Sequence, residues 1–259
     1  MNNRIRTILN RFGFIAIFIF AGAVYLFFTI LPAGDCSTPK PYTDLRHCSF
    51  AGFNSPNVDL HGSQLDGVDL TNAKILDCNL DGTSLEGANL SWANLGGCSV
   101  IKANLDDAEL FHTTFDGGIL DYSTFEKANM FGANLNEVRA HKASFYKAYM
   151  KDIAMEESDL QGCNFEQAFM HRAVLIESNL TRANLAVTVL TGAALEGADL
   201  TGANLSLSLL NGARLDGAKL VGTKLNNSRF VNAHLNDTDF SGANWVPAHL
   251  QEMIDKEQN

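Results

Sequence analysis

The chain has 259 residues, 46% of them hydrophobic and 19% charged, and its 29 acidic side chains against 19 basic ones leave a net charge of −10. That balance repels nucleic acid and favours solubility, so no nucleic-acid partner is expected. Five cysteines are present without a C-x-x-C pair, so no zinc or other metal site is expected, and no cofactor motif appears.

The N-terminus reads MNNRIRTILNRFGFIAIFIFAGAVYLFFTILPAGDC. Phe12 to Leu31 is free of charge and long enough to cross a bilayer core as a helix. Arg4, Arg6 and Arg11 precede it, and the first acidic residue is Asp35. The positive-inside bias predicts a single-pass membrane anchor with a cytoplasmic N-terminus and an exported domain (periplasmic, lumenal or extracellular), although Lys40 and Arg46 weaken the asymmetry. A cleaved signal peptide is the competing reading, since Ala21 to Ala23 form an A-x-A site, but the apolar run continues past it. Residues 1–34 are thus expected to be basic flank and transmembrane helix, and 35–42, containing STPKPY, a short stiff linker.

From Leu60 to Leu250 every position divisible by five is Leu, Ile, Val, Met, Phe or Trp, except Ala140. The array begins at Leu45 and Phe50, with a break at Ser55. A step of five scatters residues around a helix and alternates them across a straight strand, so neither element explains it. Two residues before each large one stands a small one, such as Ala88 before Leu90 or Cys98 before Val100, with a mostly polar residue between them. Small–polar–large reads as in–out–in, a three-residue strand, and the next two positions, often polar then Gly, read as a corner. If every corner turns the same way, all the large residues point inward, and stacked coils bury them together.

The strings ANLGG, ADLTG and ANLSW follow the pattern A(D/N)LXX. In this the chain resembles the pentapeptide-repeat proteins over roughly residues 43–246. The resemblance implies an all-β fold, a right-handed quadrilateral β-helix with four pentapeptides per coil and about 9–10 coils here. Residues twenty apart then stack on one face, Phe125 with Phe145 and Phe165, Met130 with Met150 and Met170. After Trp245 the texture changes, and residues 247–259 are expected to form a short capping helix opening at Pro247, with Leu250, Met253 and Ile254 on one side. Cys48, Cys78, Cys98 and Cys163 hold the small inward position and read as buried core thiols. Cys78 with Cys98, one coil apart, and Cys36 with Cys48 are the pairs close enough to bridge in an oxidising compartment.

An uninterrupted repeat offers no pocket with convergent polar groups, and the seven histidines are scattered, so no catalytic residue is assigned and the chain is not expected to be an enzyme. Setting aside the three N-terminal arginines takes the charge from −10 to −13, and Asp66, Glu86, Asp106, Glu126 and Glu166 form one outward column interrupted by Tyr146. One set of outward positions breaks the polar rule. Trp92, Phe111, Phe131, Tyr149, Phe169, Val189 and Leu209 gather around one face, with Val187 and Leu207 at the adjoining corner. Such a patch marks a contact surface. The expected function is a membrane-tethered, non-enzymatic interaction module that presents this face to a protein partner or to a second copy, with no nucleic acid bound. The alternative is an acidic DNA-mimicking regulator of a DNA-binding enzyme such as a topoisomerase, as the resemblance allows.

Overall fold

The computed structural model describes residues 19–20, 23–24 and 31–257. Its unit is the pentapeptide, and one unit accounts for nearly all its own backbone donors. The Leu190 N–H donates to Leu209 O at 2.8 Å, Gly192 to Asn211 O at 3.0 Å, and Ala194 back to Ala173 O at 2.9 Å, while Ala193 closes the turn onto Leu190 O at 3.0 Å. Three bonds therefore join each unit to its neighbours above and below, and one makes the corner. The second corner residue has φ near +60°, as at Gly192 (+67°), the geometry of a type II turn, and this holds at every fifth residue from Tyr42 to Gly242 except His47.

The fifth donor, on the first corner residue, is left out of the ladder, and this explains the polar position of the repeat. At most strand centres that are Asn or Asp, the side-chain oxygen takes that N–H: Thr181 donates to Asn179 Oδ1 at 3.1 Å and Thr201 to Asp199 Oδ1 at 2.9 Å. Elsewhere an acid one coil away serves instead, as Asp81 Oδ1 does for Ile101 N–H at 2.8 Å.

Strand centres pair in parallel at a separation of twenty residues, in four columns, so each coil has four edges. One column runs from Asp44 to Asn244, ten coils in all. At about 4.8 Å per coil the stack is roughly 48 Å long. The large residues fill its axis. Phe125, Phe145 and Phe165 are fully buried and stack at 5.0 and 4.9 Å, and Met130, Met150, Met170 and Ala140 are buried with them. Inward hydroxyls bond to backbone carbonyls, as Thr113 Oγ1 does to Leu90 O at 2.7 Å.

Both ends of the described stack are covered. At the first coil, Ala33 pairs in parallel with Asp44, and Gly34 N–H donates to Asp44 O at 2.9 Å. A disulfide joins Cys36 to Cys48 with Cα atoms 5.5 Å apart, and a second joins Cys78 to Cys98 at 4.5 Å. The reading of Cys48, Cys78 and Cys98 as free core thiols is therefore corrected: neighbouring coils bring the Cα atoms within bridging range. Cys163 remains a buried thiol, and burial pushes its pKa far up. At the other end, helix α1 (Ala248–Glu257) starts on Pro247, whose carbonyl accepts from Leu250 and Gln251. Leu250 is completely buried on the last coil, and His249 Nε2 accepts the Phe230 N–H at 3.1 Å.

The expected membrane span is corrected. Most of residues 12–31 lies outside the described residues, but strands β1 (Ile19–Phe20) and β2 (Ala23–Val24) fall at its middle. They pair antiparallel, Ile19 with Val24 and Phe20 with Ala23, which a continuous helix cannot do. β-branched and aromatic residues favour this extended form. Among the described residues no helix is long and apolar enough to cross a membrane. The single-pass topology and the exported location inferred from that helix fall with it.

Candidate functional site

The outward apolar residues form one connected strip. Phe111 and Phe131, in adjacent coils, stack at 5.4 Å with planes 10° apart. Phe131 continues to Tyr149 at 6.4 Å, and Tyr149 to Phe169 at 5.3 Å and 2°. Phe169, Val189 and Leu209 are successive strand centres of one column. Trp92 closes the other end, edge-on to Phe111 at 5.5 Å. The strip thus crosses from a corner onto a flat edge. Val187 and Leu207 stand at the next corner, 44% and 52% exposed.

Two members escaped the reading of outward apolar residues because they are polar. The His112 ring lies flat on Trp92 at 4.5 Å, and Lys151 Nζ sits 5.6 Å over Phe131. The signal for His112 was its place twenty residues after Trp92. On the flank, Arg172 donates twice to the Asp152 carboxylate at 2.6 Å, and these bonds hold that carboxyl below its ordinary range.

Two features accompany this strip, and each also occurs elsewhere on the rod. Asn or Asp at a strand centre caps the following N–H, and Tyr149, Phe169, Val189 and Leu209 carry no carbonyl or carboxylate oxygen to do so. Four consecutive coils have given up that bond, worth about 0.5–1.5 kcal/mol each where water does not replace it. Val187 and Leu207 stand at left-handed corners, with φ of +60° and +62°, a conformation shared there by glycines such as Gly192 and by non-glycine residues such as Lys147, Glu177 and Arg182. Such a φ is a marked outlier for a β-branched residue.

The acidic column has a different use. The Asp66 carboxylate accepts Ser84 Oγ and the Glu86 N–H, Asp106 accepts the Glu126 N–H at 2.8 Å, and Glu126 accepts Ser144 Oγ at 3.1 Å. Asp66 and Asp106 thus cap the ladder, while Glu126 holds a side-chain hydroxyl.

The geometry agrees with the comparisons. A family model described as a pentapeptide repeat region matches residues 43–125, and one described as pentapeptide repeats (8 copies) matches stretches from 108–152 to 208–244. The chain belongs to the pentapeptide-repeat family. No curated protein matches it. Among solved structures it is similar to HetL from the cyanobacterium Nostoc sp. strain PCC 7120, described as involved in heterocyst differentiation regulation, at 26% identity over 80% of this chain and 92% of that one, with a TM-score of 0.48. It is also similar to a trypsin-treated form of QnrB1, a plasmid-mediated fluoroquinolone resistance protein, at 21% identity over 77% of this chain and 97% of that one, with a TM-score of 0.52. The likeness to QnrB1 carries the fold alone.

Proposed function

We propose that the chain is a non-enzymatic interaction module and that the strip from Trp92 to Leu209 docks a protein partner through apolar side chains. The observation that carries this reading is that Tyr149, Phe169, Val189 and Leu209, four consecutive strand centres of one column, are all large and outward and continue the ring series of Trp92, Phe111 and Phe131.

The stacking narrows the partner. Sugars and nucleobases bind ring faces, but Phe111, Phe131, Tyr149 and Phe169 already use their faces on one another and turn their edges outward. Ring edges suit the packed aliphatic and aromatic side chains of a protein. Seven coils from Trp92 to Leu209 span about 29 Å at 4.8 Å per step, and with an edge about 10 Å wide the strip offers on the order of 300 Å². A stable interface needs about 800 Å² per partner, so a second copy laid flat on the strip buries too little. A partner that also reaches Val187 and Leu207 around the corner makes up part of the difference. The DNA-mimic alternative draws on the acidic column, in which Asp66 and Asp106 each accept a backbone N–H of the next coil.

The test is Phe131→Ser with Phe169→Ser. Both side chains are outward, so thermal unfolding should stay close to wild type while crosslinking-capture of a partner from the native host is lost. Light scattering on both proteins identifies a second copy as the partner if only the wild type self-associates. A double variant that unfolds much earlier, or one that keeps every partner, overturns the proposal.

A further inference from the structure

At the first coil three ligating groups meet that the docking strip does not use. Cys36, His47 and Cys48 each present one donor atom, and these atoms all lie within 4.8 Å of one another. His47 Nε2 is 3.8 Å from Cys48 Sγ. With Zn–S of about 2.3 Å and Zn–N of about 2.0–2.1 Å, adjacent donors of a tetrahedral site stand about 3.6 Å apart, so one edge of such a site is nearly formed. The two sulfurs are joined here as a disulfide, so this is the oxidised state of the cluster.

A second observation singles out the same place. His47 is the one residue among the second-corner positions from Tyr42 to Gly242 without a positive φ. Its counterparts donate their N–H to the next coil, as Tyr42 does to His61 O at 3.0 Å and Gly52 to Thr71 O at 2.7 Å, and the ladder has no such bond from His47. The corner itself still closes, Cys48 N–H to Leu45 O at 2.8 Å. The repeat is thus broken where the imidazole meets the sulfurs. His47 is exposed, Cys36 half-buried and Cys48 nearly buried, which leaves a solvent side for a fourth ligand. The nearby Asp35 carboxylate is held by Ser37 and Thr38 and is not part of the set.

We propose that, once its disulfide is reduced, Cys36, His47 and Cys48 bind a thiophilic divalent cation of the zinc type, with water as fourth ligand. A dithiol reductant supplies two electrons and two protons; its own sulfurs become a disulfide, and the Cys36–Cys48 bond opens to two thiols. Zinc then displaces both thiol protons to solvent and takes electron pairs from two thiolates and the neutral imidazole. Two thiolates and one imidazole suit zinc and exclude magnesium or calcium, which take oxygen. The disulfide and the metal are mutually exclusive, and either one fastens residues 31–42 to the first coil. This reverses the expectation of no metal site, which rested on the absence of C-x-x-C: the ligands are adjacent through the coil, not through a C-x-x-C spacing.

The test uses the full chain with Cys78→Ala, Cys98→Ala and Cys163→Ala. Alanine is the residue other coils carry at that inward position, so only Cys36 and Cys48 remain. The protein is reduced with a phosphine, freed of it, and titrated anaerobically with Zn²⁺ against a chromophoric chelator, and separately with Co²⁺. The expected result is a single tight equivalent and a thiolate-to-cobalt absorption band in the reduced protein, both absent from the oxidised one. His47→Ala should weaken binding with both thiols still titratable, and Cys36→Ser should abolish the band. Circular dichroism of each variant confirms the coils. Reduced protein that binds no better than Cys36→Ser, oxidised protein that binds equally well, or a His47→Ala protein with unchanged affinity each overturns the site.

Discussion

At a single strand the two faces differ sharply in what they tolerate. Leu200 is fully buried among the axial side chains, while the neighbouring Asp199 points outward, caps Thr201 N–H at 2.9 Å and lies 3.9 Å from Lys219 Nζ. Leu200→Asp should cost about 3–5 kcal/mol, because the carboxylate meets no partner inside. Asp199→Ala removes one cap and an exposed ion pair, about 0.5–1.5 kcal/mol. Comparable losses of melting temperature in the two variants would overturn the inward–outward assignment. Val187 makes the converse case. Val187→Gly relieves roughly 1–2 kcal/mol of left-handed strain. It adds about 0.5–1 kcal/mol of unfolded-chain entropy. Melting should therefore hold or rise while partner capture weakens; a drop of several degrees would mean that Val187 stabilises the corner and that its exposure serves no contact.

The element that most limits the stack is its cover. A coil buries its axis only against another coil, so the last one depends on α1. Leu250 supplies the fully buried contact, Met253 and Ile254 pack beside it, and a cleft of about 400 Å³ lined by Phe240, Ala243, Val246 and Ile254 remains between helix and coil. Leu250→Ala should cost about 2 kcal/mol or more. Because each coil touches only its neighbours, the loss should appear as faster amide exchange in residues 223–244 with residues 100–200 unchanged. Uniform acceleration along the chain would show that the rod unfolds as one unit and that α1 holds all of it.

For the molecule as a whole, the rod makes a flat surface, and the proposed docking strip depends on alignment across coils. Trp92, Phe111, Phe131, Tyr149 and Phe169 come from successive coils and three different positions of the pentapeptide, yet their rings form one connected series. The shift from corner to edge between Phe131 and Tyr149 is possible because strand centre and first corner are two residues apart. Loss of partner capture in the Phe131→Ser, Phe169→Ser protein tests this long-range alignment, since neither residue supports the core of its own coil.

The period of five, the inward Leu and Phe and the small residue before them were legible in the chain alone, because burial repeats with the coil and leaves the same mark at every turn. Membership of the strip was legible in part, as outward positions where Asn and Asp give way to Trp, Phe and Tyr. Three things required the tertiary structure. The capping role of Asn and Asp depends on which N–H the ladder leaves out. Cys36, His47 and Cys48 meet only because residues 31–42 fold back onto the first coil. The apolar run near the N-terminus read as a helix by length and hydropathy, and its pairing at Ile19–Phe20 with Ala23–Val24 shows why those quantities do not suffice. Hydropathy measures how much a segment gains by leaving water, and extended and helical chains of the same residues gain alike; the backbone pairing, here within the run itself, decides between them.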